Sequence, residues 1–476
     1  MRLPLLFPLL LAVSACSLVP PLETPAPPVP AAFPHHEPAG MKEDGTGEGA
    51  AGLSRAEMFR DQHLLRLIDL ALENNRDLRL ALLNIEAARS LYRIQDAGRV
   101  PGLDGQASYS RERTPGGGGQ TAGMTNQYGV SVGLNAFEFD LFGRVRAQSD
   151  AALARYLASQ EGYRAARIAL IGAVAEAYAA ERLAVEQRAL AEGTLADWRQ
   201  SLELARLLRR SGQGGDIDVV RAEAQVASAE ADLRARERAV AQAGNALRLV
   251  VGAESPADLP PPMGLDQEPV RTALPAGLPS DLLLNRPDIR QAERSLAAAN
   301  ADIGAARAAF FPRLSLTAAF GVASSSLGGL FDGPQGAWSV SPRAVLPIVD
   351  GGRLDAELDL AKVRQNEAVA QYEKTIQTAF REVADGLAGR ATLGRQIAAQ
   401  RRSVSNAVRG VALAEARYRA GLESRLELLD AQRQAYAARQ TLLDLQRDEI
   451  ANAIALYKAL GGGLAGDRTV PAQAGQ

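Results

Sequence analysis

The chain repeats itself, and no other feature constrains its fold as tightly. Gly143-Arg144 recurs 209 positions later as Gly352-Arg353. The same offset pairs Val174-Ala175 with Val383-Ala384, Leu204-Ala205 with Leu413-Ala414, Gly212 with Gly421, Ala222 with Ala431, Leu247 with Leu456 and Gly252 with Gly461. Upstream the offset is 211 and pairs Asn74 with Asn285, Asp77 with Asp288, Arg79 with Arg290, Pro101 with Pro312 and Leu103 with Leu314. The two-residue difference falls between the prolines and the glycines, where a hairpin loop absorbs it. Alanine matches carry little weight in an alanine-rich chain; the Gly, Pro and Arg matches carry the case. A duplicated chain folds as two copies of one supersecondary unit, so a reading of either half constrains the other. Residues 256–280, with seven prolines, link the halves.

Each half reads as helix, β-hairpin, very long helix, tight turn, long helix. The first repeat is assigned to 59–255, with a helix over 61–98, a β-hairpin over 101–142 and a helical hairpin over 144–252. The second is assigned to 281–462, with a helix over 286–309, a β-hairpin over 312–350 and a helical hairpin over 352–460. Pro101 and Pro312 stop the leading helices. Leu314, Leu316, Ala318, Phe320 and Val322 then alternate with Arg313, Ser315, Thr317, Ala319 and Gly321, and Tyr128 to Ala136 alternates in the same way. Such alternation gives a strand with one dry face and one wet face. Leu103 to Ser110 repeats the pattern more weakly, and the fourth strand is expected over Trp338 to Ile348. Gly116–Gly119 and Gly328-Gly329 mark the hairpin loops. At Ala136-Phe137 the parity flips, which predicts a bulge or a change of environment.

After Gly143 and Gly352 come proline-free helical stretches of about 65 residues, each about 100 Å long at 1.5 Å per residue. The returning helices are expected over 217–251 and 426–460. Small Ala positions and scattered Leu and Val fill their contact faces, which predicts long coiled-coil-like packing. Gly212, Gly214, Gly215 and Gly421 suit the positive φ of a tight helix reversal.

Composition removes most chemistry. The single cysteine, Cys16, rules out an intramolecular disulfide and a Cys-rich metal site, and the three histidines all lie near the N-terminus. A His-based triad or zinc site in the body of the chain is therefore excluded. Gly116–Gly119 and Gly461–Gly463 are not followed by the Gly-Lys-Ser/Thr of a phosphate loop. Lys+Arg of 53 against Asp+Glu of 55 gives a net charge of −2 and no electrostatic reason to bind nucleic acid. No catalytic, cofactor or metal residue is expected, and His35-His36 reads as a solvated pair.

The N-terminus is an address. Met1-Arg2, an apolar run to Val13 and the small residues Ser14-Ala15 form a secretory signal over 1–15, too short to span a bilayer. Val13-Ser14-Ala15-Cys16 resembles the bacterial lipobox, which implies lipidation of Cys16, and Ser17 after it implies sorting to the outer membrane. Residues 16–58, rich in Pro and then Gly, are expected to form an extended tether. Residues 463–476 are expected to be a flexible tail.

Strands of around ten residues fit a transmembrane β-barrel, but four cannot close one, and an open edge is not tolerated in lipid. Association supplies the missing strands: two copies give eight and three give twelve, the latter wide enough to begin leaving a lumen. Taken together, the duplication, Leu-Asn-Arg-Pro-Asp-Ile-Arg at 284–290, Ala-Phe-Phe-Pro-Arg-Leu-Ser-Leu at 309–316, and Tyr-Arg-Ala-Gly with Leu-Leu-Asp-Ala-Gln-Arg at 418–433 resemble the TolC/OprM-type outer-membrane efflux proteins. The lipobox resembles their lipoprotein branch. The resemblance implies a mainly α, internally duplicated homotrimer. Its twelve-stranded transmembrane β-barrel would be continuous with a twelve-helix periplasmic α-barrel. It also implies an exit duct in outer-membrane lipid, served by a periplasmic adaptor (membrane fusion) protein and an inner-membrane RND transporter.

Two groups of site residues follow from the resemblance. Gly212, Gly421 and Leu422 would touch the adaptor. Asp430 would form an acidic ring at a periplasmic gate, with Glu427, Arg433 and Tyr418 nearby. Charges about 6 Å apart repel by about 2.8 kcal/mol at an effective dielectric of 20, so such a ring needs a counter-charge. By the repeat, Asp218 corresponds to Glu427 and Arg221 to Asp430, and the last exchange suits interhelical pairing. Heavy-metal efflux and type I protein secretion are alternatives within the duct reading. A periplasmic adaptor lipoprotein is a further one, although it would need only one helical hairpin.

Overall fold

The computed structural model describes residues 18–30, 33, 53–114, 123–274, 286–332 and 335–462. The described helices are α1 (Arg55–Met58), α2 (Gln62–Asn74), α3 (Arg76–Ala97), α4 (Arg144–Arg210), α5 (Asp216–Val251), α6 (Pro287–Ala308), α7 (Arg353–Arg419) and α8 (Arg425–Ala459). The strands are β1 (Leu103–Thr114), β2 (Gly123–Phe139), β3 (Arg313–Ser324) and β4 (Gly336–Val345). The chain divides into two compact units. One contains the strands with α6 and the adjoining ends of α3, α4 and α7; the other contains α1, α2, α5, α8 and the distal parts of α4 and α7.

In the first unit the strands form one antiparallel sheet in the order β1-β2-β3-β4. Its register places Val132 opposite Phe320 and Phe320 opposite Trp338, and places Ser131 opposite Gly321. Directly opposed residues share a face. One face therefore gathers Val130, Val132, Leu134, Leu316, Ala318, Phe320, Trp338 and Val340. The other gathers Gln106, Ser108, Ser131, Thr317, Ser339, Ser341 and Arg343. The parity flip is a bulge, with the register shifting between Leu134 and Phe137. Ala136 takes φ 50° there, and its N–H donates to Thr317 Oγ1 at 3.2 Å. The extra residue keeps Phe137 and Phe139 on the apolar face, opposite Leu316 and Leu314. β4 starts two residues before the expected Trp338, runs through Pro342 opposite Leu316, and stops at Val345. Gly116–Gly119 lie outside the described residues, and Gly328–Leu330 is a single 3₁₀ turn.

Part of the stretch expected as an extended tether is hydrogen-bonded to α6. Asn300 Nδ2 donates to the Pro20 carbonyl at 2.8 Å, Arg307 Nη1 to that of Leu18 at 3.3 Å, and Val19 lies so close to Gly304 that a Cβ there would collide with it. Residues 54–58 are ordered too: Ser54 and Glu57 form a capping box that starts α1. Prolines 20 and 21 made the segment extended, but an extended strand with free carbonyls also matches a helix that offers donors.

The second unit shows what the duplication is for. The expected helix 61–98 is broken at Asn75, which adopts an extended conformation between α2 and α3. Its Oδ1 accepts from Leu78 N at 2.9 Å, capping α3, while its Nδ2 donates to Val250 O at 2.8 Å. The equivalent residue in the second repeat is Arg286, whose Nη1 donates to Ala459 O at 2.9 Å. Ala459 stands 209 positions after Val250. Each repeat thus ties the start of its leading helix to the end of its returning helix, using a different side chain.

Both long helices, α4 and α7, span 67 residues. Val219, Ala222, Val226 and Ala229 of α5 pack on Leu195, Trp198, Leu202 and Ala205 of α4, one apolar stripe on another.

Candidate functional site

Two surfaces call for a function. The first is the sheet. Phe320 and Trp338 stand largely exposed on its apolar face, an arrangement that water disfavours and lipid accepts. A Cβ on Gly321 would run into the backbone of Val130 and Ser131, and one on Gly133 into that of Ala318 and Ala319. Both glycines lie on the polar face, opposite Ala319 and Ser131, where the neighbouring strand leaves no room for a second Cβ. β1 and β4 each leave one edge unpaired among the described residues. Gly321→Val is expected to cut the amount of chain recovered in outer-membrane fractions at least about tenfold, because backbone cannot move aside as a side-chain tip can. Gly105→Val, where a Cβ meets nothing within 4 Å, is the control and should accumulate normally.

The second surface is the end of the two helical hairpins. Gly212 (φ 75°) and Gly421 (φ 69°) reverse the chain in the left-handed region. Gln213 N bonds Leu208 O and Leu422 N bonds Arg417 O, each at 2.9 Å, which closes the last turns of α4 and α7. Gly214 and Gly215 do not share that conformation; Gly215, at φ −96°, precedes α5 as its N-cap. Leu422 is 73% exposed, and a Cβ on Gly212 or Gly421 would meet nothing within 4 Å.

The charged residues expected at a gate fall into two sets. Glu427, Asp430, Arg433 and Arg221 are exposed. Asp430 accepts from Gln434 Nε2 at 2.6 Å, and among the described residues none of the four forms an ion pair. The expected pairing of Arg221 with Asp430 is therefore not made within one chain. Helical geometry explains this: α5 buries Val219 and Ala222, α8 buries Leu428 and Leu429, and both charges point away from those faces. Tyr418 and Asp218 lie in the other set, gathered around a residue that sequence reasoning passed over. The Arg425 guanidinium carbon sits 5.4 Å from the Tyr418 ring centroid, with Asp218 as the carboxylate acting on both. Arg425 is only 3% exposed. Burial pushes the Tyr418 hydroxyl above its ordinary pKa and pulls the Arg425 guanidinium below its own. A signal was available: Arg425 opens α8, where a cation opposes the helix dipole, and its repeat equivalent Asp216 carries the favoured sign.

Further along the hairpins, a polar network ties the two together. Tyr436 of α8 donates to Asp232 of α5 and accepts from Gln440 Nε2 at 2.9 Å. Arg236 donates to Gln187 Oε1 at 2.7 Å, and Gln187 Nε2 donates to Asp444 Oδ1 at 2.8 Å. Burial, then the bond to Asp232, pushes the Tyr436 hydroxyl up to about 12.

Cys16, His35 and His36 lie outside the described residues. Among the described residues, no group of three or more His, Cys, Asp or Glu is placed to hold a metal, and no helix is long and apolar enough to cross a membrane.

Comparison with known proteins gives concordant matches. The family model described as "Outer membrane efflux protein" matches twice, over residues 67–253 and 278–462, one match per repeat. The chain is 47% identical over 456 residues to the solvent efflux pump outer membrane protein SrpC of Pseudomonas putida, covering 95% of this chain and 97% of that protein. Among solved structures, a membrane protein from Pseudomonas aeruginosa superposes with a TM-score of 0.87 at 42% identity, covering 94% of this chain and all (100%) of that one. The open state of the Neisseria gonorrhoeae MtrE outer membrane channel superposes with a TM-score of 0.84 at 39% identity, covering 95% and 100%.

Proposed function

The chain belongs to the outer membrane efflux protein family, and from that premise we propose that three copies assemble into a passive exit duct for organic solvents and amphiphilic antibiotics. The protein is an outer-membrane channel of an efflux pump, residing in the outer membrane and extending into the periplasm. The observation that carries the trimer is the sheet: four strands with an apolar face, a polar face and, among the described residues, two unpaired edges. Four strands cannot enclose a lumen, and lipid does not tolerate free edges, whereas three sheets joined edge to edge give a closed twelve-stranded barrel. Polar faces of Ser, Thr and Gly would line such a pore with water-compatible, weakly binding groups, which suits conduction rather than capture.

In this reading, Cys16 carries the lipid anchor. The tips at Gly212, Gly421 and Leu422 meet a periplasmic adaptor, which joins the duct to an inner-membrane RND transporter that supplies the energy. Asp430, with Glu427 and Arg433, rings the entrance; Tyr418, Asp218 and Arg221 flank it. SrpC is named for solvent efflux, and its likeness over nearly the whole chain supports an organic cargo.

A deletion strain, complemented or not, tests the cargo. Inhibitory concentrations of toluene-type solvents and unrelated hydrophobic antibiotics should fall at least about fourfold and recover on complementation. Sensitisation to metal salts alone would replace this with metal efflux, and loss of a secreted protein with intact drug tolerance would replace it with type I secretion. Chemical cross-linking of the purified protein should give a ladder that stops at three copies.

A further inference from the structure

We propose that Arg425 biases the tip toward opening: it destabilises the closed contact between the two helical hairpins, so that they part more readily than a fully satisfied contact would allow. The proposal rests on the reading of the hairpin ends as a gate.

The argument starts from two buried arginines that the same chain treats differently. Arg286 is 7% exposed. Its Nε and Nη2 bond Asp288 at 3.0 and 2.6 Å, and its Nη1 bonds Glu382 at 2.8 Å and Ala459 O at 2.9 Å. Burial works against that charge, but Asp288 and Glu382 overcome it, and the guanidinium pKa is raised. Arg425 is likewise buried, at 3% exposed, and hydrogen-bonds Tyr418, yet its Nε and Nη1 have no hydrogen-bond partner among the described residues. Its companions are a tyrosine and a half-buried aspartate, and they do not offset burial.

Three further observations point the same way. Arg425 is the first residue of α8, at the positive end of the helix dipole, and Ser424 before it makes no side-chain cap bond. Both amide atoms of Gln225, two turns along α5 from Asp218 and itself 3% exposed, are also without a partner among the described residues. The Tyr436–Asp232 and Gln187–Asp444 bonds further along are, by contrast, well made. Unpaired buried donors disfavour whatever arrangement buries them. Here the neighbour of that cation on the other hairpin is Asp218 of α5 in the same chain, so parting α5 from α8 is the movement that would release it. Parting the hairpins hydrates the guanidinium, while the network beyond confines the movement to the ends. Arg425 thus pushes against the contact that Asp218 and Tyr418 hold.

A double-mutant cycle separates a spring from a clasp. The full-length channel is reconstituted in planar bilayers as wild type, Asp218→Asn, Arg425→Met and Asp218→Asn/Arg425→Met. Asp218→Asn should raise closed-state conductance about tenfold, because the buried cation loses its facing carboxylate. Arg425→Met should conduct at or below the wild-type level, with longer closed dwell times. The double variant should return to the Arg425→Met level. If Arg425→Met instead conducts more than wild type, and the double variant at least as much as Asp218→Asn, Arg425 is a clasp and the proposal is overturned. Failure of the gate reading looks different: the Asp218→Asn and Asp430→Ala/Arg433→Ala channels would then both match wild type, and the bias would fall with the gate it acts on. Hydrogen exchange on the unmutated channel is an arm that no folding defect can spoil. Amides of 429–432, beyond the first turn of α8 where every N–H has an intrahelical acceptor, should exchange at least about tenfold faster than those of 436–444. Equal protection of the two stretches would overturn the proposal.

Discussion

Replacing Asp430 and Arg433 together by alanine is expected to raise the closed-state conductance of the assembled channel about 10- to 100-fold. Both side chains are exposed and form no ion pair within their own described chain, so their charges are free to act on a neighbour. In the proposed three-fold ring, the acid of one copy would face the base of the next. Three exposed pairs at about 0.5–1 kcal/mol each stabilise the closed ring by about 1.5–3 kcal/mol. At about 1.4 kcal/mol per factor of ten, that is the stated range in the open-to-closed ratio. Cells carrying the variant should admit large antibiotics that the outer membrane normally excludes. Conductance and antibiotic leak both equal to wild type would remove Asp430 from the gate. Raised ionic strength should narrow the difference between variant and wild type, since exposed pairs are screened.

Asp61→Ala should destabilise the second unit by about 3–7 kcal/mol. The carboxylate is 1% exposed and serves three donors. It caps α2 through His63 N at 2.8 Å, accepts from the Tyr178 hydroxyl, and holds the inter-repeat linker through Met263 N at 2.9 Å. Loss of the cap costs about 1 kcal/mol, and each buried donor left alone adds about 1–3. Trypsin should then cut at Arg271, which the linker presents beyond Met263, while the wild type resists. Tyr178→Phe removes one donor and should cost only about 1 kcal/mol. Burial and the bond to Asp61 push the Tyr178 hydroxyl well above its ordinary range, so it donates throughout the physiological pH range. An Asp61→Ala protein as resistant to trypsin as wild type would show that the remaining contacts, including His63 Nδ1 with Pro260 O at 2.7 Å, hold the linker unaided.

Neither knot was legible beforehand, and the reason is separation along the chain. Asp61 and Tyr178 lie 117 positions apart, and Asn75 finds Val250 O across 175. A break in the helix at Asn75 depends on that distant carbonyl, and the local pattern from 62 to 97 reads as continuous helix without it. The bulge at Ala136 was legible because alternation is a local record of which face is dry. The turns at Gly212 and Gly421 were legible because a positive φ selects glycine on the spot. Arg425 lay between these cases. Its sign at the start of α8 was a local anomaly, but only packing shows that it is buried beside Tyr418 with two donors unpartnered among the described residues.

By itself, then, the sequence determined the duplication, the two β-hairpins with their wet and dry faces, the two long helical hairpins and the places where they turn. These follow from period and from residue type within a few positions of each other. Tertiary structure alone decided three things. Leu18–Pro20 lies against α6 instead of hanging free. Arg221 and Asp430 point outward instead of toward each other. An arginine buried at the tip is left with two unpartnered donors among the described residues. Each depends on a partner brought close by folding, and periodicity can mark a face for burial without naming the atoms that will meet it.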